Sequence, residues 1–198
     1  MDQLYNTMFD AGCIKFGEFK LKSGMISPIY ADLRLLASLP ALLNEIGKAL
    51  AIKAKEIGCD RLAAIPLAGM PIGTATSLIS GIPMIYPRNE VKDHGTRQAI
   101  EGIFNVGDRV LPIDDLITDG GAKISAITSL VEAGLKVTEL LVVLDREQGG
   151  EQIMAKAGYK LHSLIKLSEL LDSLVESGKI TSQKRDEVTV FIAQNQFT

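Results

Sequence analysis

The sequence has little of what is typical of a nucleic-acid binder or of a disulfide-stabilised secreted domain. Its 198 residues carry 21 lysines and arginines against 24 aspartates and glutamates, a formal net charge of -3. General nucleic-acid binders are usually basic, so this class is disfavoured and any anion site must be local. The two cysteines, Cys13 and Cys59, lie far apart and form no metal-ligand spacing. They are typical of free thiols in a reducing compartment, and we predict a cytoplasmic protein.

A secretion signal is not expected either, because the first residues, MDQLYNTMFDAG, contain no basic segment followed by an apolar one. Charge is absent over one long run, Leu62 to Tyr86, which a hydropathy window would take for a membrane span. Three prolines and three glycines interrupt this run and argue against a single lipid-embedded helix. A buried strand, a tight loop, a short helix and a second strand fit the run better. We therefore predict no association with a membrane.

The rest of the chain alternates between apolar runs of strand length and segments with helical periodicity. Strands are predicted at 62–65, 83–86, 110–113, 137–144 and 159–165. Helices are predicted at 4–11, 40–56, 74–79, 122–133, 151–157, 168–177 and 182–194. This alternation predicts an α/β fold, a doubly wound and mostly parallel sheet flanked by helices. The length suits a single domain, residues 1–198, with a small N-terminal hood of about residues 1–36.

The stretch that organises the site prediction is Arg109 to Ser125, RVLPIDDLITDGGAKIS. An apolar run ends in two carboxylates and then turns through two glycines into a predicted helix. Glycines let backbone amides approach an anion closely, and a helix N-terminus favours negative charge. Carboxylates accept hydrogen bonds from sugar hydroxyls or hold Mg²⁺. The stretch therefore predicts a sugar-phosphate site, with a plain strand–turn–helix connection as the alternative.

Two more polar clusters follow predicted strands. Residues 88–97 combine Arg88, Lys92 and His94 in a segment with neither helical nor strand periodicity, which is typical of a lid that contacts a pyrophosphate group. A solvated, salt-bridged loop is the alternative. Residues 145–150 form the second cluster. Because ligands of parallel sheets bind outside the carboxyl ends of the strands, we expect the three clusters to form one site.

The hood segment, Phe16 to Arg34, begins with an alternating pattern and then turns twice, which predicts a hairpin-like unit. Lys22 lies just before a turn, where its ammonium group could meet an anionic ligand. A solvated surface lysine is the alternative interpretation.

Four segments together resemble the orotate phosphoribosyltransferases, specifically the phosphoribosyltransferase half of UMP synthase. They are LKSGMISPIYADLR, IPMIYPRNEVKDHGTRQAIEG, IDDLITDGG and LDREQGG. The Asp-Asp-x-x-Thr-x-Gly element is typical of type I phosphoribosyltransferases in general, whereas the first and last segments point to orotate. The resemblance extends over nearly the whole chain.

This resemblance implies a type I phosphoribosyltransferase fold and a pentosyl transfer. Ribose 5-phosphate would pass from phosphoribosyl pyrophosphate (PRPP) to orotate, giving orotidine 5′-monophosphate and pyrophosphate in UMP biosynthesis. The resemblance also implies Mg²⁺, carried mainly by PRPP near Asp114 and Asp115. It implies a homodimer in which residues 88–97 reach the neighbour's site, and it implies no nucleic-acid or membrane partner.

Residue roles also follow from the resemblance. The catalytic residues would be Lys92, Asp114 and Asp115. PRPP would contact Leu67, Ala68, Arg88, Asn89, Lys92, His94, Asp114, Asp115, Leu116, Ile117, Thr118, Asp119, Gly120, Gly121 and Ala122. Orotate would contact Lys22, Ile29, Tyr30, Thr118 and Arg146, with Arg146 pairing with an anionic edge of the pyrimidine.

Three residues depart from what the resemblance leads us to expect. Asn89 stands where the family usually has lysine. Asp119 stands where threonine, serine or alanine is usual, and we expect its carboxylate to point outward and to cap the following helix. Pro112 lies inside a predicted central strand, so we expect a bulge or irregular pairing there.

These departures keep a second interpretation open, a non-catalytic relative that senses PRPP or a nucleotide. A third, a phosphotransfer receiver domain, fits the alternating pattern but neither the length nor the first of the four segments.

Overall fold

The computed structural model describes residues 1–20, 24–88 and 99–198. The strands in this part of the chain are β1 Ile14–Lys20, β2 Ile26–Ala31, β3 Arg61–Ala64, β4 Met84–Pro87, β5 Ile100–Glu101, β6 Val110–Ile117, β7 Glu139–Asp145 and β8 Lys160–Lys166. The helices are α1 Asp2–Asp10, α2 Pro40–Ile57, α3 Gly69–Ser80, α4 Gly121–Glu132, α5 Gly150–Lys156, α6 Leu167–Glu176 and α7 Ser182–Gln194. A 3-10 helix covers Leu33–Ser38.

Six strands form the main sheet in the order β5-β4-β3-β6-β7-β8. All neighbours pair in parallel except β5, which runs antiparallel to β4. The predicted α/β fold with a mostly parallel sheet is confirmed. The short strand β5 was not predicted, because two residues are too few for any periodicity to show in the sequence.

The sheet reverses its direction of growth between β3 and β6. The chain passes from β3 through α3 to β4 on one side, and then returns to β6 on the other side of β3. In open α/β sheets, ligands bind in the crevice outside the carboxyl ends of the strands at such a switch point. The end of β6, which carries Asp114 and Asp115, lies at this crevice.

The core lies on both faces of the sheet, and β7 illustrates its pattern. Leu141 and Val143 join the cluster that contains α1, α2 and α6, whereas Leu140 and Val142 join the cluster that contains α4 and α5. Successive side chains of a strand point to opposite faces, so a strand buried on both faces is apolar throughout.

Within the hood, β1 and β2 pair antiparallel with a register irregularity between Phe16 and Phe19. The hairpin predicted for this segment is confirmed. The 3-10 helix that follows β2 contacts β6 and α3 and so connects the hood to the sheet.

Helix α3 begins at Gly69, five residues before the predicted start at Thr74. Pro71 led to the prediction of a loop at this position. Amides in the first turn of a helix have no intrahelical partner, so a proline there removes no hydrogen bond. The apolar run from Leu62 to Tyr86 therefore folds as β3, α3 and most of β4. Among the residues that the structure describes, no helix is long and apolar enough to cross a membrane.

The irregular pairing expected at Pro112 is confirmed, and it lies on the β7 side. Strands β3 and β6 pair in register through Pro112, which lies opposite Ala63. The carbonyl oxygens of Arg109 and Ile113 accept hydrogen bonds from the β3 side, whereas the Val110 amide donates to the Lys136 carbonyl on the other side. By alternation, the missing amide of Pro112 faces the β7 side. On that side the register shifts by one residue between the Arg109–Lys136 bridge and the Ile113–Leu141 pair. The proline thus costs no ladder bond with β3.

Candidate active site

The two carboxylates at the end of β6 lie in different environments. Asp114 is buried, whereas Asp115 is partly exposed. One oxygen of Asp114, Oδ1, accepts a hydrogen bond from the Asp115 amide at 2.8 Å. Its other oxygen, Oδ2, forms an ion pair with Lys123 Nζ at 2.8 Å, and the two side chains are only 6% and 14% exposed. The Asp115 carboxylate accepts from the Leu116 amide at 2.7 Å.

Burial governs the charge state of Asp114. Removal of the carboxylate from water raises the pKa of Asp114 to about 6, although the Lys123 ammonium group opposes this shift. The neighbouring Asp115 carboxylate raises the pKa further. Asp114 is therefore an anion at neutral pH and becomes protonated in mildly acidic solution.

The glycine turn follows β6 directly. Gly120 adopts the left-handed conformation with φ of 82°, and α4 begins at Gly121. A left-handed residue before a helix turns consecutive amides to one side, which is a geometry that suits an anion. Asp119 is exposed, and its Oδ1 accepts a hydrogen bond from the Gly121 amide at 3.1 Å. The predicted contact between this carboxylate and the start of the following helix is thus present.

The loop after β3 packs against the same acid. A Cβ atom added to Gly69 would lie 2.7 Å from the Ile113 carbonyl oxygen and 3.1 Å from Asp114 Oδ1. Only glycine allows this approach, which brings Leu67 and Ala68 to the switch point. Leu67 is 79% exposed, and the peptide bond that precedes it is cis.

The loop after β7 reaches the site from the other side. The Arg146 amide donates to the Ile117 carbonyl at 3.1 Å. A Cβ added to Gly150 would lie 2.8 Å from the Thr118 carbonyl oxygen, so this loop packs directly on the glycine turn. The Arg146 side chain is largely buried, and its Nη2 has no hydrogen-bond partner among the described residues. Burial lowers the pKa of this guanidinium, which remains charged because an arginine pKa begins so high.

Three strand ends therefore bring complementary groups together. Carboxylates can accept hydrogen bonds from hydroxyl groups, backbone amides at a helix start can bind a phosphate, and a buried guanidinium can pair with an anionic ring edge. A compound with hydroxyls beside a phosphate, together with a planar anion, suits this arrangement.

Known proteins match the chain over most of its length, although no protein-family model matches it. The orotate phosphoribosyltransferase of Pyrococcus horikoshii is 40% identical over 171 residues, which cover 85% of this chain and 92% of that protein. The chain belongs to the orotate phosphoribosyltransferase family. Both the family and the type of fold predicted from the sequence are confirmed.

Bifunctional relatives are similar as well. The uridine 5′-monophosphate synthase of Bos taurus is 38% identical over an alignment of 199 residues, which covers 100% of this chain and 42% of the bovine protein. The structure of Leishmania donovani UMP synthase matches with a TM-score of 0.89 and 39% identity, over 98% of this chain and 42% of that one. The chain thus spans about two fifths of the length of these synthases.

Most of the described residues to which the family resemblance assigns PRPP contacts lie in β6 or directly after it. Asp114, Asp115 and the turn from Thr118 to Ala122 lie together at the end of β6. Leu116 and Ile117 belong to β6 itself, and the Ile117 side chain is fully buried, so its backbone is what faces the neighbouring loop. Arg88 lies at the end of β4, where it forms an ion pair with Glu101 at 3.2 Å.

Four of the predicted site residues lie outside the described ranges, namely Lys22, Asn89, Lys92 and His94. Their contacts with orotate or pyrophosphate stay predictions.

The hood residues predicted to line the orotate pocket have two different surroundings. The Ile29 side chain is buried in the core, where it belongs to the cluster that includes α1 and α2. Tyr30 is half-buried and stacks on Phe19 with 5.4 Å between ring centroids. Its hydroxyl accepts a hydrogen bond from Arg34 Nη2 at 2.9 Å. The orotate contacts of both residues remain predictions.

The sequence prediction missed Lys123 and Gly69. Lys123 lies in the first turn of α4, where the helix dipole disfavours a cation. A lysine at such a position signals a specific carboxylate partner, and two candidates precede it in the same stretch. Gly69 gave no comparable signal, because its close contact with Ile113 joins the start of α3 to β6, 44 positions apart, and the sequence does not specify that packing.

Proposed function

We propose that the chain transfers ribose 5-phosphate from PRPP to orotate, giving orotidine 5′-monophosphate and pyrophosphate. Membership of the orotate phosphoribosyltransferase family supports this pentosyl transfer. Further support comes from a single-activity relative, the Pyrococcus horikoshii enzyme, of which the chain covers 92%. The reaction is the one expected from the sequence.

The single observation that carries the proposal for orotate is the Arg146 guanidinium. This group is largely buried, and its Nη2 has no partner among the residues that the structure describes. The backbone of the same residue donates to the Ile117 carbonyl, just before the glycine turn. A buried charged donor without a partner lowers the stability of the fold. Such a group is therefore expected where a bound ligand supplies the missing hydrogen bond. Orotate is a planar anion, and an arginine pairs well with a planar carboxylate or ring edge.

The β6 end supplies the groups for the sugar phosphate. In the proposed complex, Asp114 and Asp115 accept hydrogen bonds from the ribose hydroxyls, and the amides from Thr118 to Ala122 surround the 5′-phosphate. Departure of pyrophosphate builds positive charge on the ribose, as in glycoside transfer. The protein need supply no nucleophile, because holding the two reactants in line and stabilising the developing charges lowers the barrier.

The two carboxylates also suit Mg²⁺, which prefers oxygen ligands. Both Asp114 oxygens already have protein partners, the Asp115 amide and the Lys123 ammonium group. The pair is therefore better suited to assist a cation that PRPP brings than to hold one in a protein cage. Bound Mg²⁺ would neutralise pyrophosphate as it leaves.

The alternative of a non-catalytic sensor is not favoured, because the similar proteins are named as enzymes and both carboxylates are in place. A homodimer and a cytoplasmic location remain proposals that come from the family resemblance and from the two free cysteines. Light scattering of the purified chain tests the dimer directly.

The decisive experiment is a steady-state assay with PRPP, Mg²⁺ and each of several bases. We expect orotidine 5′-monophosphate and pyrophosphate to form with orotate, and little product with uracil, which lacks the carboxylate. Adenine is a second control. Absence of product with orotate while PRPP still binds would support the sensor instead.

A further inference from the structure

The loop that carries Arg146 is bound by the last residues of the chain. We name residues 145–150 the arginine loop and residues 195–197 the C-terminal segment. The Phe197 amide donates to the Gln148 carbonyl at 2.9 Å. In return, Gln148 Nε2 donates to the Asn195 carbonyl at 3.2 Å. Gln196 Nε2 donates to the Glu147 carbonyl at 2.9 Å, so all three residues of the segment engage the loop.

The two backbones also pack without a side chain between them at Gly149. A Cβ atom at this position would lie 2.1 Å from the Phe197 carbonyl oxygen. Gly149 has φ of 100°, a conformation that other residues rarely adopt. The arginine loop is therefore shaped to receive the C-terminal segment.

The opposite side of the arginine loop is bound by α6. The Glu147 carboxylate accepts from the Ser168 amide at 2.6 Å and from the Ser168 hydroxyl at 3.0 Å. Glu147 itself has φ of 56°, which is uncommon for a residue other than glycine. The three residues that follow Arg146 are thus held by α6 and by the C-terminal segment. In contrast, Nη2 of the Arg146 guanidinium has no partner among the described residues.

We infer that the C-terminal segment is a positioning element that holds Arg146 in the geometry required to bind orotate. This inference rests on the proposed function, since it assigns the segment to the base side of the same site. Binding groups that are held rigidly in place avoid the entropic cost of ordering them when the ligand arrives. The segment would therefore set the affinity for orotate and leave the affinity for PRPP largely unchanged.

Two variants test the inference, truncation after Gln194 and Gln196→Ala. We expect the truncation to raise the KM for orotate about tenfold, and Gln196→Ala to raise it about threefold, given the modest net value of single hydrogen bonds. The KM for PRPP should change less than twofold in both.

Gln194→Ala is the matched control, since the Gln194 side chain makes no hydrogen bond to a described residue, and we expect it to behave like the wild type. If the truncated chain does not fold, Gln196→Ala carries the test.

A double-mutant cycle separates positioning from general stability. In an Arg146→Ala background, loss of the C-terminal segment should no longer affect the KM for orotate, because the group that it positions is gone. Equal effects of the truncation in both backgrounds would overturn the inference. So would a lowered melting temperature with an unchanged KM for orotate.

Amide hydrogen exchange of the arginine loop gives a readout that needs no substrate. We expect faster exchange at residues 146–150 in the truncated chain than in the intact one, with little change at residues 118–122. A wild type that forms no orotidine monophosphate would contradict the proposed function, and the exchange result would still decide whether the segment holds the loop. Unchanged exchange at residues 146–150 would overturn the inference in either case.

Discussion

The carboxyl ends of β6 and β7 lie side by side, yet their polar groups are held in different ways. At the β6 end, the buried carboxylate has its partners within the same strand–turn–helix unit, because Asp114 pairs with Lys123 nine residues later. At the β7 end, the loop that carries Arg146 is held by Ser168 and by the C-terminal segment, tens of residues away. The first end is a local motif and the second is a product of tertiary structure.

This difference predicts that substitutions at the two strand ends affect different substrates. A change at the β6 end should act through the charge and hydrogen bonds of its own motif and so affect PRPP. A change at the β7 end should affect orotate, even when it is made in a distant part of the chain. Substitutions at each end can test that separation.

The largest effect is expected for Arg146→Ala. Loss of charge-assisted hydrogen bonds worth about 1.5–3 kcal/mol each should lower kcat/KM for orotate about 100-fold. The KM for PRPP should stay within about threefold of the wild type. Steady-state kinetics with each substrate varied in turn measure both. Arg185→Ala is the control, because this partly exposed arginine of α7 pairs only with Asp172 and Asp186 among the described residues. Equal losses for the two substrates would contradict the division between the two strand ends.

Lys123→Met should have the next largest effect, and on PRPP. The variant leaves the buried Asp114 carboxylate without its cation, so we expect the KM for PRPP to rise about 30-fold, as for loss of a charged hydrogen bond. Lys123→Arg should restore part of the affinity, and Lys48→Met, on the exposed face of α2, should have no effect. A rise in the KM for orotate alone would show that Lys123 serves the other strand end.

The pH dependence of Asp114 provides a third test. The folded-state pKa of about 6 lies above the usual 3.8, so the protonated form is favoured by folding. The stability gained by folding with Asp114 protonated is fully present below pH 3.8 and is lost as pH rises through about 6. The Asp114 anion, which we propose accepts hydrogen bonds from the sugar hydroxyls, is thus about tenfold depleted at pH 5. Carbon-13 NMR of the aspartate carboxyls, with Asp114→Asn for assignment, measures this pKa directly, and a value near 4 would contradict the effect of burial.

The smallest effect is expected for Asp119. Its exposed carboxylate accepts from the Gly121 amide, one of the amides proposed to bind phosphate. Asp119→Asn keeps an oxygen for that hydrogen bond and removes the charge, so we expect PRPP to bind about fivefold more tightly, in line with about 1 kcal/mol in a water-like dielectric. Glu45→Gln, on an exposed face of α2, is the control for the change in net charge. Unchanged affinity in isothermal titration would place this carboxylate outside the influence of the phosphate.

Much of the fold could be predicted because its signals are local. The period of apolar residues identified α2, and short apolar runs identified the central strands, to within a few residues. The start of α3 was missed because Pro71 carries the same signal in a loop as in the first turn of a helix. The irregular pairing at Pro112 was predicted, but the neighbouring strand that it affects was not, because the side to which a strand residue directs its amide depends on which strands flank it.

The candidate site also contains residues that the sequence revealed and residues that it did not. Asp114, Asp115 and the glycine turn were recognisable in one continuous stretch, since a phosphate site needs its acids and glycines close together in the chain. Gly69 and the C-terminal segment were not recognisable, because their contacts join residues 44 or more positions apart. Periodicity and spacing contain no information about such pairs.

The sequence by itself determined the alternation of strands and helices, the α/β class and the identity of the groups at the β6 end, because these depend on neighbours within a few residues. Only the tertiary structure decided the strand order, which places β3 beside β6 and creates the crevice. It also decided the charge environment of Asp114 and the partners of the arginine loop. Burial and long-range contact arise only when distant segments pack together, and their energies depend on distances that no linear pattern specifies.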